Sequence, residues 1–136
     1  MAVKLFYLAK NCCFCPPLRR FLEWMLRYIC GIEISGKMQC GVGLKLPHNG
    51  LGVVIHQNTI IGNNVKVLQN VTIGGRNGSG LPIIGDNVVI GAGAVLLGDI
   101  KIGNNVRIGA NAVVLCDVPE DAIAVGVPAV IKQKKR

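Results

Sequence analysis

Aromatic side chains are scarce in this chain: one Trp, two Tyr and three Phe among 136 residues. Charged residues are also few, at 16%, and the hydrophobic fraction of 51% excludes a disordered polymer. No uninterrupted apolar run approaches the roughly 18 residues that a membrane-spanning helix needs. The apolar stretch after Lys4, Leu5–Ala9, is short and no small-residue cleavage site follows it, so a secretory signal is not expected. What is abundant is glycine, with 18 residues. Much glycine, few aromatics and a length that suits one domain point to a repetitive, thin-walled β architecture.

The net charge of +8 is unevenly placed. Residues 1–31 carry Lys4, Lys10, Arg19, Arg20 and Arg27 against Glu23 alone, and the tail ends in Lys132, Lys134, Lys135 and Arg136. Between them acids and bases balance. A basic stripe interleaved with aromatics, the footprint of a nucleic-acid binder, is missing, so no nucleic-acid partner is expected. Cys12, Cys13 and Cys15 crowd one segment while Cys30, Cys40 and Cys116 are scattered. Without a secretion signal they read as free thiols of a cytoplasmic protein.

A repeat begins at residue 32. Ile61–Val65, Ile84–Val88 and Ile102–Val106 are near copies, and the last two lie 18 residues apart. Within them an apolar residue recurs every six positions: Ile84, Ile90, Leu96, Ile102, Ile108 and Val114. Ile55, Ile61, Val67 and Ile73 continue the column, as do Ile34, Cys40 and Leu46. A second small apolar residue follows four later, as at Val65, Val88, Val106 and Ala112. Three sixes per superperiod describe a triangular coil of short strands, with Gly, Asn and Asp at corners that need φ > 0. Two slips interrupt the register. Leu46 to Ile55 spans nine residues rather than six, and Ile73 to Ile84 spans eleven. The second falls in Gly74–Pro82, whose composition predicts a loop leaving the coil.

Residues 1–31 read as a helical cap, residues 32–131 as the coil and residues 132–136 as a basic tail. Pro16-Pro17 suits a helix start and Gly31 a helix end. Leu18, Phe21, Leu22, Met25, Leu26 and Ile29 have helical spacing, with Arg19, Arg20, Glu23 and Arg27 on the other face. One short helix closing the coil is expected, and its basic amphipathic character also suits peripheral contact with an anionic membrane face.

Only two histidines are present. His56 follows an inward Ile55 and reads as a solvated corner residue. His48 sits inside the first slip, and Glu33 lies 15 residues before it, close to one coil. With coils roughly 4.8 Å apart, a Glu can reach an imidazole one coil above and raise its basicity. From spacing alone this pair and a purely structural contact are equally supported. His48, Gln69, Ala92 and Ala110 share a register position once both slips are counted. They form a row along one corner, spanning roughly 14 Å, that suits an extended arm of a ligand.

The hexads over residues 32–131 resemble the hexapeptide-repeat acyltransferases, which fold as a left-handed parallel β-helix. The handedness comes from that resemblance. Glu33-Ile34, His48 fifteen residues on, and Asn64–Gly75 resemble the catalytic stretch of serine acetyltransferases and related polysaccharide O-acetyltransferases. The resemblance implies an acetyl-CoA-dependent O-acetyltransferase, with acetyl-CoA as co-substrate and no metal. His48 would be the base and Glu33 its orienting partner. The cofactor groove would lie between subunits of a homotrimer, beside Gln69, Gly74, Gly75, Ala92 and Ala110, with Arg107 and Lys132 toward the CoA phosphates. Gly126–Ala129 resembles the motif that closes the last coil. In serine acetyltransferases an Asp precedes the base histidine and the loop carries an Arg-His pair. Here Pro47 and Asn49 flank His48 and the loop has no such pair. A substrate ammonium left unpaired would cost several kcal/mol, so a sugar hydroxyl of surface-polysaccharide synthesis is expected, with L-serine as the alternative. A metal lyase on the same fold would need three histidines, and a non-catalytic scaffold would bind no CoA.

Overall fold

The computed structural model describes residues 1–11 and 15–133. Two helices come first, α1 (Ala2–Asn11) and α2 (Pro16–Cys30). The strands are β1 (Glu33–Ile34), β2 (Gln39–Cys40), β3 (Val54–Ile55), β4 (Ile60–Ile61), β5 (Lys66–Val67), β6 (Thr72–Gly74), β7 (Ile83–Ile84), β8 (Val89–Ile90), β9 (Val95–Leu97), β10 (Lys101–Ile102), β11 (Arg107–Ile108), β12 (Val113–Val114), β13 (Ala122–Val125) and β14 (Val130–Gln133).

From β3 to β12 every third strand stacks on the same face. The three sheets run β1-β3-β6-β9-β12, β2-β4-β7-β10 and β5-β8-β11-β13-β14, and all pairings are parallel except β13 with β14. A strand this short places one side chain outward and one inward. The inward column is the hexad column: Ile34, Ile55, Ile73, Leu96 and Val114 on the first sheet are all buried, as are Ile61, Ile84 and Ile102 on the second. Each fully buried Val, Leu or Ile contributes roughly 1.5–3 kcal/mol, and among the described residues thirty-three apolar ones are buried, none of them Trp or Tyr.

The corners show why Asn recurs. Gly52, Asn70, Gly93 and Asn111 stack at one corner, all at positive φ between 55° and 70°. Gly43, Asn64, Asn87, Asn105 and Asp121 stack at another, with φ between 55° and 77°. Asn tolerates this conformation and its amide also links coils. Asn87 Nδ2 donates to Asn105 Oδ1 at 3.3 Å, and Asn105 Nδ2 to Asp121 Oδ1 at 3.1 Å.

The helical cap differs from expectation. There are two helices, and the first uses the apolar spacing of Ala2, Phe6 and Ala9, all buried. Helix α2 starts at the two prolines and ends on Gly31 in the left-handed region, as its sequence indicated. However, it buries Leu22, Leu26 and Cys30, and leaves Leu18, Phe21 and Ile29 exposed. The helix is rolled so that its buried stripe is narrower than its apolar arc. Phe21, Trp24 and Tyr28 stack along the exposed side, with centroids 6.1 and 5.5 Å apart. Polar contacts pin both helices to the first coil: Tyr7 Oη donates to the Gly41 carbonyl at 2.9 Å, and Glu23 Oε1 accepts from Gly36 N at 2.8 Å and Ser35 Oγ at 3.0 Å.

At the other end Gly126–Ala129 reverses the chain, so β14 runs back along β13. Lys132, expected in the tail, is therefore strand residue, opposite Ile123. Lys134, Lys135 and Arg136 lie outside the described residues, as do Cys12 and Cys13. Cys15 and Cys116 are exposed free thiols, and Cys30 and Cys40 are buried ones. Among the described residues no helix is long and apolar enough to cross a membrane.

Candidate active site

The first slip folds as a tight turn, Pro47–Gly50, inserted at the corner between the third sheet and the first. Pro47 opens it with a suitable φ. His48 (φ 54°, ψ 33°) and Asn49 (φ 55°, ψ 20°) then both adopt the left-handed region. Among the described non-glycine residues at positive φ, all are Asn or Asp except His48. For any other L-residue that conformation costs roughly 1–2 kcal/mol, and such strain persists where the surroundings fix it, often at functional sites. The His48 side chain is exposed. Asn49 Oδ1 accepts from the N-terminal ammonium of Met1 at 3.3 Å.

The expected row is present above the turn and changes at its foot. Gly93 N donates to the Gln69 carbonyl at 3.0 Å and Asn111 N to the Ala92 carbonyl at 2.8 Å, so Gln69, Ala92 and Ala110 stack. Below them, Asn70 N donates to the Leu51 carbonyl at 2.9 Å. Leu51 therefore occupies the rung beneath Gln69, and His48 bulges from the corner beside it. The slip adds its three residues before Leu51, so the ladder resumes after the turn and not at His48. Gln69 Oε1 is buried without a hydrogen-bond partner. Ala92 is half-buried and Ala110 exposed, so the row is a small-residue edge open to solvent.

Glu33 does not join His48. It stands opposite Val54 in the next coil and pairs with Arg27, Nη2 to Oε2 at 3.6 Å, both side chains being more than half exposed. The histidine it shares a groove with is His56. A cavity of about 450 Å³ is lined by Glu33, His56, Thr72, Gly74, Gly75 and Leu97, among others. His56 Nδ1 accepts from Asn58 N at 3.2 Å. The corner reading of His56 holds, but its surroundings were not legible, because hexad spacing does not say which corner faces which groove. Gly74 ends β6 beside Leu97, and residues 75–80 form the exposed loop expected there.

Arg107 projects from β11 and Lys132 from β14, both exposed. The Cys40 thiol is pushed up by burial, with Lys10 pulling the other way, which holds it as a thiol rather than a nucleophile. Among the described residues no cluster of three His, Cys, Asp or Glu could hold a metal ion.

Residues 82–116 match the family described as bacterial transferase hexapeptide (six repeats). A serine acetyltransferase of Synechocystis is 50% identical over 116 residues, covering 83% of this chain and 46% of that protein. The chain belongs to the hexapeptide-repeat transferase family. Its coil is the left-handed parallel β-helix of that family, with two helices ahead of it. The crystal structure of Neisseria gonorrhoeae serine acetyltransferase in complex with serine superposes with a TM-score of 0.85 at 38% identity, over 95% of this chain and 54% of that one. A serine acetyltransferase in complex with CoA superposes with a TM-score of 0.86 at 34% identity, over 96% of this chain and 55% of that one. The chain thus spans about half the length of the relatives it matches.

Proposed function

We propose that this chain moves an acetyl group from acetyl-CoA to the hydroxyl of a small acceptor, with His48 as general base. The observation that carries the reading is the backbone of His48: a costly conformation holds an exposed imidazole on a bulge at the foot of the Gln69–Ala92–Ala110 edge. His48 takes the proton of the acceptor hydroxyl, whose oxygen forms a bond to the thioester carbonyl carbon. The C–S bond then breaks and the proton is returned to the departing sulfur. A positioned base supplies typically 10²–10⁴-fold, and holding the two substrates together supplies most of the rest.

The edge suits the cofactor. Alanines let an extended arm lie against backbone groups, and the unpartnered Gln69 Oε1 can accept from an amide N–H of pantetheine. Arg107 and Lys132 are available cations toward the end of the coil remote from His48. Glu33 is not placed to orient His48 within one chain. It pairs with Arg27 and lines the groove of His56, Gly74 and Gly75.

The relatives' names favour L-serine over the sugar acceptor read from sequence. A sugar hydroxyl is kept as the second reading, because Pro47 stands where the family places an Asp. Release of CoA, followed with L-serine and with a panel of sugars and nucleotide sugars, decides it. Turnover of L-serine at ordinary enzymatic rates supports the first reading; turnover of sugars alone supports the second; turnover of neither refutes acetyl transfer to these acceptors.

The outward residues Val54, Ile60 and Ile83 remain about 40% exposed on the prism faces. Covering them by self-association supports the homotrimer, and a concentration-independent monomer in light scattering would contradict it. The exposed Phe21, Trp24 and Tyr28, flanked by Arg20 and Arg27, support peripheral contact with an anionic membrane from the cytoplasmic side. Vesicle co-sedimentation unaffected by Trp24→Ala would contradict that contact.

A further inference from the structure

A second cleft lies at the closed end of the prism, away from the His48 corner. It has a volume of about 690 Å³ and is walled by the end of α1, the start of α2, and the sheet of β2 and β4. Lys10, Arg19 and Lys37 line it over an apolar floor of Met38 and Ile61, and no carboxylate does. We propose that this cleft binds a phosphate- or diphosphate-bearing ligand.

The state of Arg19 is the independent observation. Its Nε is buried and has no hydrogen-bond partner. Glu23 stands four residues further along α2, the spacing at which a helix forms ion pairs. Yet Glu23 is turned onto the first coil, accepting from Gly36 N at 2.8 Å and Ser35 Oγ at 3.0 Å. The ion pair formed among the described residues is Arg27 with Glu33. Lys10 is also fixed: Nζ donates to the Cys40 carbonyl and lies 6.0 Å from the centre of the Tyr7 ring. Lys10 and Arg19 are thus held in one cleft, with the exposed Lys37 at its edge, and no carboxylate lines it. Mutual repulsion and an unmet guanidinium N–H both disfavour that arrangement, and a bound anion removes both costs. The guanidinium fork matches phosphate oxygens in pairs, and two ammonium groups add the charge that a diphosphate carries. The volume is that of a small-molecule site. The proposal does not rest on the acetyl-transfer reading.

The test uses the full chain at fixed ionic strength, titrated with inorganic pyrophosphate by calorimetry and in parallel sedimented with phosphatidylcholine vesicles containing phosphatidylglycerol. Saturable pyrophosphate binding that weakens at least tenfold in Arg19→Gln and in Lys37→Gln, but not in Lys101→Gln, supports a soluble phosphate ligand. Vesicle binding with the same pattern, and no pyrophosphate binding, supports a lipid headgroup. Because Arg19 lacks a protein partner, Arg19→Gln should melt no lower than the unliganded wild type. Pyrophosphate should raise the wild-type midpoint but not that of Arg19→Gln. Binding to neither probe, or equal loss in Lys101→Gln, overturns the proposal. A midpoint several degrees lower in Arg19→Gln, with ligand binding intact, likewise assigns Arg19 to structure alone.

Discussion

The coil is interrupted twice, and the two interruptions are built differently. The long one, residues 75–80, leaves the prism entirely and lies exposed. The short one, Pro47–Gly50, stays against the corner: Gly50 is buried, His48 is held in the left-handed region, and α1 packs on the turn. Both let the ladder resume. Gly98 N still reaches the Gly74 carbonyl at 3.0 Å before the loop, and Asn70 N the Leu51 carbonyl at 2.9 Å after the turn. Stacking therefore tolerates added chain at a corner, whether the chain escapes to solvent or is compressed. Among the described residues only the compressed insertion holds a residue other than Asn, Asp or Gly in the left-handed region, and strain of that kind clusters at functional sites. Backbone conformation, and not length alone, sets the two interruptions apart.

The largest effect is expected from removing that strain element. Deleting residues 48–50 restores an uninterrupted coil in which Leu51 follows Pro47 as Gln69 follows Leu68. Circular dichroism and the melting midpoint should remain near wild type while acetyl transfer is lost. Unfolding of this variant would show that the turn also holds the coil together.

Next in size is a test of the regular region. In Gly91→Ala the new Cβ would lie 2.6 Å from Ala110 N and 2.7 Å from the Gly109 carbonyl carbon, backbone of the next coil. Overpacking of this kind costs about 1–3 kcal/mol, so urea unfolding should shift to lower concentration with an unchanged slope. No shift would mean that the coils separate more easily than their stacking suggests.

His48→Gly should do the reverse. Relief of the left-handed penalty, less the extra chain entropy of glycine, leaves about 0.5 kcal/mol or slightly more of added stability. Activity should fall in the same protein. A stability loss at His48→Gly would remove the strain argument. Smallest of all, shortening the exposed loop by deleting Asn77-Gly78-Ser79 should change stability by less than about 0.5 kcal/mol. A larger change in thermal unfolding would place the loop with the short turn.

Much of this was legible in the residues. The hexad positions are the buried positions, from Ile34 to Val118, because a two-residue strand allows one inward side chain per face. Counting three surplus residues between Leu46 and Ile55 located the turn. Counting could not say which residue takes up the ladder again, so the row was extended to His48 where the hydrogen bonds put Leu51. Spacing across coils put Glu33 within reach of His48, whereas the structure pairs it with Arg27 and sets it in the groove that His56 lines: a corner turns the chain, and a sum of residues does not give the direction a side chain leaves it. Helix α1 is hard to read from sequence although Ala2, Phe6 and Ala9 have helical spacing, because ten residues carry too few turns for the pattern to stand out. The roll of α2 depends on what α1 covers, which no pattern within α2 encodes.

The account rests on the short interruption carrying the chemistry, and paired substitution of the two histidines tests it most directly. Acetyl transfer and CoA affinity are measured for His48→Ala and His56→Ala beside wild type, with the melting midpoint as a control for folding. The expected result is a rate at least 100-fold lower in His48→Ala with CoA binding kept, and a rate within a few fold of wild type in His56→Ala. A His48→Ala protein that turns over at the wild-type rate, or a His56→Ala protein that bears the loss instead, would contradict it.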